Sequence, residues 1–422
     1  MKFQKGFYLG AATAAHQVEG NNTNSDYWVM ENLPGSAFTD PSGIACDHYR
    51  RYKEDIDYMK KAGLNAYRFS IEWARIEPEK GRFDEAQVEH YRDVLTYCRE
   101  NRIEPIVTLL HGTSPKWLIS EGGWKAEGTV EYFTRYCVYV VERLGDLMHY
   151  VCTLNEYNMG VQMEAIMQKV YKKMGLNLQV GMKLTTDMLP DEKKKMLRAQ
   201  AEAFGVEDIM GVHTFMSQAD EESDAFLLHV HEAARNAIKT VRPDLKVGAT
   251  MSLHFLDVLP GGGEQAEKIW KDEFSHYLPV IKDDDFIGVQ NYTRSIVGPD
   301  GERPVPDGAE VTQMGYEYYP ESVAGVIRRM AKDYHGEIFV TENGLATDDD
   351  SRRVEFIQRA VKSVQECVEE GLPVVGYLYW SLLDNFEWQS GYCKHFGLIG
   401  VNRETMERTP KESLWCLGSY AP

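Results

Sequence analysis

Ile338-Phe339-Val340-Thr341-Glu342-Asn343-Gly344 is the stretch on which the reading of this chain turns. Its first residues are apolar in succession rather than in alternation, which predicts a strand buried on both faces. A carboxylate then ends the run, where an unpaired charge beside a core is costly. A parallel strand with a functional group at its C-terminal end accounts for both features. A strand end facing solvent accounts for the carboxylate equally well, so this run alone does not decide.

Working outward, seven further runs have the same character: Tyr8–Thr13, Ala66–Ser70, Pro105–Leu110, Tyr150–Leu154, Lys246–Met251, Phe286–Gln290 and Val374–Trp380. Between them lie helical patterns at Tyr49–Ala62, Asp84–Asn101, Thr129–Leu144, Ser223–Val241, Pro320–Asp333 and Arg352–Glu370. Eight strands alternating with helices predict the α/β class and a (β/α)8 TIM barrel. Residues 1–422 are read as one catalytic domain, since such barrels routinely exceed 200 residues. Two stretches break the rhythm. Met159–Phe215, rich in Met and Lys, reads as a helical excursion after strand four. Gly298–Gly315 reads as a long loop or short hairpin after strand six. Long segments that follow barrel strands lie over the active-site face.

Forty-six Lys and Arg against 65 Asp and Glu give a net charge of −19. That balance argues against nucleic acid and anionic membrane as partners. No apolar run approaches the length of a membrane span, and no signal-peptide core precedes Phe7. The seven cysteines are odd in number and form no CxxC pair. Together these features predict reduced thiols and a cytoplasmic location. The expected partner is a small carbohydrate or glycoside, and the chain is compatible with a homo-oligomer. No metal and no cofactor is expected. His229 and His231 are two apart in a helical pattern and do not share a face. Gly261-Gly262-Gly263 lacks phosphate-loop spacing and reads as a flexible loop. The acidic runs Asp283–Asp285 and Asp348–Asp350 read as water-facing edges.

A second carboxylate ends strand four, in Thr153-Leu154-Asn155-Glu156. Two carboxyl groups, one giving a proton and one attacking or activating water, are what glycosidic cleavage needs. In these and neighbouring residues the chain resembles glycoside hydrolase family 1, the β-glucosidase and β-galactosidase family, from about Phe7 to Ser413. The opening segment Phe7–Gly20, Asn155-Glu156, Thr341-Glu342-Asn343-Gly344 and Tyr379–Trp388 carry the resemblance in the family's order.

The resemblance implies a retaining β-glycosidase acting on unphosphorylated β-glucosides. Glu342 resembles the nucleophile and Glu156 the acid/base. Arg68 and Tyr292 resemble the groups that support the nucleophile. Gln17, His111, Asn155 and Glu387 resemble polar contacts to the sugar, and Trp380 and Trp388 its aromatic floor and wall. Family members that cleave 6-phosphorylated sugars usually carry a small neutral residue where this chain has Glu387. A 6-phospho-β-glycosidase is thus the first alternative, and a non-catalytic sugar-binding pseudoenzyme the second. Lys394 is expected to be a surface lysine and not a phosphate clamp.

Three positions depart from the family. Gly112 stands where an indole usually follows the histidine, so the sugar-binding rim is expected to open. Tyr157 replaces a proline, so the backbone at Glu156 is expected to loosen. Gln290 stands where asparagine is usual.

Overall fold

The computed structural model describes residues 2–163, 186 and 189–422. Eight parallel strands close into a barrel: β1 (Tyr8–Ala12), β2 (Ala66–Ser70), β3 (Glu104–Leu110), β4 (Tyr150–Asn155), β5 (Lys246–Ser252), β6 (Phe286–Gln290), β7 (Glu337–Asn343) and β8 (Val374–Trp380). Each strand pairs with its neighbours in sequence. Closure comes from β1 against β8, with Tyr8 opposite Gly376 and Ala12 opposite Trp380. The eight expected strands are all present, with ends displaced by two residues at most.

Eight helices face the sheet: α1 (His48–Ala62), α2 (Glu85–Glu100), α3 (Gly128–Leu144), α4 (Glu221–Val241), α5 (Gly263–Glu273), α6 (Ser322–Met330), α7 (Asp350–Glu369) and α8 (Glu412–Gly418). Aspartates cap several N-termini. Asp84 accepts from the Ala86 and Gln87 amides, Asp220 from Ser223, and Asp349 from Ser351. Such caps satisfy amides that have no intrahelical partner. Two sequence expectations fail here. Gly262 and Gly263 begin α5 rather than a flexible loop. Asp284 is buried, not water-facing, because Arg235 and His231 of α4 bind its carboxylate at 2.6 and 3.1 Å.

The strands show why their runs do not alternate. Phe339 joins Tyr150, Phe286 and Leu378 inside the barrel, while Ile338 and Val340 pack outward against the helices. Tyr8 and Tyr150, on strands that are not neighbours, meet at 5.5 Å between ring centroids across the interior. Phe286 and Phe339 complete this aromatic plug, each edge-on to Tyr150. At the same end Lys246 pairs with Glu337 at 2.5 Å. The N-terminal mouth is therefore filled, which leaves the C-terminal mouth for chemistry.

Beyond the barrel, Phe255–Val258, Arg294–Gly298 and Gly301–Glu302 form a three-stranded sheet. The expected hairpin after strand six is thus present, starting four residues earlier than Gly298. Within the expected helical excursion, Asp191–Phe204 is a helix and Phe215–Ser217 a 3-10 turn. Residues 164–185, 187 and 188 of that excursion lie outside the described residues. No helix among the described residues is long and apolar enough to cross a membrane.

Candidate active site

Strict alternation would point both motif strands the wrong way. On β4, Tyr150 and Cys152 face inward, so Asn155 should face out. A register shift between Cys152 and Asn155 reverses the parity. Leu154 then packs outward and Asn155 inward. On β7, Phe339 faces inward, and a shift between Val340 and Glu342 turns Glu342 into the barrel. Bulges that re-aim a side chain recur beside active sites. By contrast β2 and β6 alternate regularly, which brings Arg68 and Gln290 inward without a bulge.

The re-aimed groups meet in one hydrogen-bonded layer. Arg68, fully buried, donates to Glu342 Oε1 at 2.5 Å, to Asn155 Oδ1 at 2.5 Å and to Thr108 Oγ1 at 3.0 Å. Tyr292 donates its hydroxyl to Glu342 Oε2 at 2.6 Å. Gln290 Nε2 lies 2.8 Å from Glu342 Oε1 and 2.7 Å from Asn155 Oδ1. Three side chains therefore donate to Glu342. Hydrogen bonds to the charged form of an acid favour that form.

Asn155 fixes a histidine in turn. Its Oδ1 accepts from Arg68, Gln290 and Thr250, so its Nδ2 is turned to His111 Nε2 at 3.2 Å. Burial, with Arg68 nearby, holds His111 well below its usual range, so the ring is neutral. Nε2 accepts and the proton sits on Nδ1, a buried donor without a protein partner among the described residues. Gln17 donates to the Phe386 carbonyl at 2.8 Å and to Glu387 at 3.3 Å, and its own buried Oε1 is likewise unpartnered. A sugar hydroxyl both donates and accepts, so it can satisfy groups of either kind.

Glu156 has a different setting. Its φ is +49°, a left-handed conformation held by hydrogen bonds from its amide to the Thr250 carbonyl (2.9 Å) and hydroxyl (3.3 Å). The expected loosening at Tyr157 does not occur. Tyr157 is buried, stacked on His231 at 5.8 Å and edge-on to Tyr277 at 5.1 Å. A proline there would bias residue 156 toward extended backbone, which is not the conformation it adopts.

Electrostatics separate the two glutamates. Burial lifts both carboxyls above the ordinary range. At Glu342, Arg68 and the Tyr292 hydroxyl pull back against that rise. At Glu156, the Glu342 charge adds to it and holds the acid well above the usual value. The pair therefore keeps its proton on Glu156. A third carboxyl, Glu387, is pushed up to about 8 by burial and by Glu342, with Gln17 and Trp380 opposing.

Trp380 and Trp388 stack on His111 with centroids 5.6 and 6.4 Å apart. The rim at Gly112 is not open as expected. Gly112 has φ +82°, and a Cβ there would lie 2.8 Å from Trp388 Cη2. The indole of Trp388 fills the space that a side chain at 112 would need. Lys394 is half-buried rather than a free surface lysine, and donates to the Gln313 carbonyl at 2.7 Å.

These groups line a cleft of about 490 Å3 that holds His111, Glu156, Tyr292, Glu342, Trp380, Glu387 and Trp388. Nearly all the residues singled out in the sequence are gathered at this one end of the barrel. Three that sequence reasoning did not assign are Gln290, Thr250 and Tyr316. Gln290 ends its apolar strand with a polar group, the same signal that marked the glutamates. Tyr316 lies close enough to Glu156 and Glu387 for their charges to help raise its phenol, and no sequence signal marks it.

A parallel barrel with two such carboxyl groups at its C-terminal mouth defines a glycoside hydrolase. The family model described as glycosyl hydrolase family 1 matches residues 1–172 and 271–419, and the chain belongs to that family. Beta-glucosidase A of Thermotoga maritima is 30% identical over 98% of this chain and 96% of its own length. The crystal structure of a beta-glycosidase matches with a TM-score of 0.88 at 44% identity, covering 100% of this chain and 98% of the other. The apo structure of a beta-glucosidase matches at 0.87 and 38% identity, covering 99% of each chain.

Proposed function

We propose that the protein is a retaining β-glycosidase hydrolysing unphosphorylated β-glucosides, with Glu342 as nucleophile and Glu156 as acid and base. The observation that carries this is the asymmetry of the pair. Glu342 accepts from Arg68, Tyr292 and Gln290, whereas Glu156 is held protonated by burial and by the Glu342 charge.

Glu342 attacks the anomeric carbon while Glu156 gives its proton to the leaving oxygen. Forming the ester removes the negative charge of Glu342. Glu156 then loses the neighbouring charge that had added to the effect of burial, and it takes a proton from the attacking water. The sugar leaves with its β configuration. His111, Gln17 and Glu387 meet its hydroxyls, Asn155 the 2-hydroxyl, and Trp380 and Trp388 its C–H faces. No metal or cofactor enters this scheme.

An unphosphorylated sugar is favoured because the described lining of the cleft offers no basic side chain to a phosphate. Among its described lining residues are six acidic side chains, Glu156, Asp272, Glu273, Glu302, Glu342 and Glu387, and no Lys or Arg. A phosphate dianion would meet no cation there. Seven free cysteines support a cytoplasmic location, and the whole barrel is read as one catalytic domain.

A panel of aryl β-glycosides followed by proton NMR tests the proposal. The β-anomer of glucose should appear first. An α-anomer as first product overturns the mechanism, and cleavage of only the 6-phosphorylated glucoside overturns the substrate.

A further inference from the structure

The bulge that aims the end of β4 is itself held from outside the barrel. Cys152 pairs with Gly248 and Asn155 with Thr250, so Thr153 and Leu154 together face Ala249. The extra residue of a bulge lacks a ladder partner to fix it. At Thr153 that restraint comes from α4. Its hydroxyl lies 2.7 Å from Nδ1 of His231, and both residues are fully buried.

His231 is fixed in turn. A carboxylate only accepts hydrogen bonds, so His231 Nε2 donates to Asp284 at 3.1 Å. Arg235 donates to the same carboxylate oxygen at 2.6 Å and to the Val280 carbonyl at 2.8 Å. The face of the imidazole stacks on Tyr157, with 5.8 Å between centroids and 11° between planes. Tyr277 meets Tyr157 edge-on at 5.1 Å and donates its own hydroxyl to Asp224.

One ring thus touches the chain on both sides of Glu156, at Thr153 before it and at Tyr157 after it. Between them Glu156 has φ +49°. Left-handed backbone is costly for a residue with a side chain, and it persists where the surroundings over-determine it. None of Thr153, Tyr157 and His231 is among the described residues that line the cleft, so their influence on the reaction passes through the backbone of β4.

We propose that His231 is a positioning residue for Glu156, holding the segment that carries the acid from both sides through Thr153 and Tyr157. The inference rests on the reading of Glu156 as acid above, and adds what keeps that acid aimed at the leaving oxygen.

The test compares kcat/KM on 2,4-dinitrophenyl and phenyl β-D-glucosides. Dinitrophenolate departs without a proton, whereas the phenyl leaving group needs one, so the dinitrophenyl-to-phenyl ratio reads how well the acid is placed. A smaller folded fraction lowers both values alike and leaves the ratio where it was. Glu156→Gln, as reference, should raise the ratio about 10^2- to 10^4-fold, the usual contribution of a general acid. His231→Leu and Thr153→Val should each raise it about 10- to 100-fold, the effect of an acid displaced by up to an ångström. Thr153→Ser keeps the hydroxyl and should recover most of the loss seen in Thr153→Val. A ratio unchanged in His231→Leu overturns the inference, and the reference effect of Glu156→Gln then leaves the acid assignment standing. If His231→Leu does not fold, Thr153→Val decides alone, and there too an unchanged ratio overturns the inference. A ratio unchanged in Glu156→Gln overturns the acid assignment itself and this inference with it.

Discussion

The inner and outer ends of one cleft are built by opposite rules. At the inner end, Arg68, Asn155, Gln290, Tyr292 and Glu342 come from or directly follow β2, β4, β6 and β7, and nearly every polar atom has a fixed partner. At the outer end, Met159 begins a helical segment, Met216 lies in a 3-10 turn, Ile269 and Asp272 on α5, Glu302 in the hairpin after β6 and Met314 in the loop that follows. Developing charge needs donors already aimed before the reaction begins, which rigid strands supply. Side chains on connecting segments are freer to adapt, and the outer end is built largely from these.

Single substitutions at the inner end should therefore be severe, and the first of them the most severe. Glu342→Ala should reduce kcat on an aryl β-glucoside by about 10^4-fold or more. Residual activity within tenfold of the parent would remove Glu342 from the chemistry. Arg68→Met removes the guanidinium shared by Glu342 and Asn155. A loss in kcat/KM on the order of 10^2- to 10^3-fold is expected, with the acid limb of the pH profile moved upward because protonated Glu342 becomes the favoured form.

Gln290→Leu deletes one donor to Glu342 and one to Asn155. Losing a hydrogen bond to a charged group costs about 1.5–3 kcal/mol, so kcat/KM should fall roughly 10- to 100-fold. The sign of the pH effect follows from the lost donor. Glu342 ionises less readily, and the acid limb moves to higher pH. An acid limb that stays in place would show that Gln290 only fills space.

Glu387→Gln acts on the other limb. The charge of Glu387 contributes to raising Glu156, so its removal lets Glu156 lose its proton earlier, and the alkaline limb of kcat/KM should move to lower pH. A shift to higher pH would reverse the assignment. The smallest expected effect is that of Gly112→Ala, where left-handed backbone costs a non-glycine residue about 1–2 kcal/mol and the new methyl presses on Trp388. Thermal unfolding should show a Tm lower by a few degrees. An unchanged Tm would mean that Trp388 yields freely.

The same contrast explains what could be read from the sequence. Strands buried on both faces announce themselves as unbroken apolar runs, so β2, β6 and β8 are found to the residue. The carboxylates that end two such runs stand out for the same reason. Their orientation does not. Alternation counted from Phe339 or from Cys152 aims Glu342 and Asn155 at the helices, and only the bulges correct it. Bulges leave no periodic trace in the sequence. The filling of Gly112 by Trp388 joins positions 276 residues apart and is equally silent. Glycines ahead of α5 disguised a helix as a loop, and the burial of Asp284 depends on Arg235 arriving from α4. The Met-rich character of Met159–Phe215 is legible in the sequence, but that Met159, Met216 and Met314 share one wall depends on the barrel.

Barrel closure has a consequence for how the protein is made. Gln17 and Glu387 touch across 370 positions of chain, and β1 finds its second neighbour only in β8. On the ribosome, β1 waits through the synthesis of nearly the whole polypeptide, roughly 20–70 s at ordinary elongation speeds. Until β8 emerges, β1 and β7 each present an open edge of the kind that recruits foreign strands. A product that stops before β8 lacks Trp380, Glu387 and Trp388, all of which line the cleft. Emergence of β8 is thus itself the step that completes the cleft, and the interval before it is when the chain most needs a chaperone.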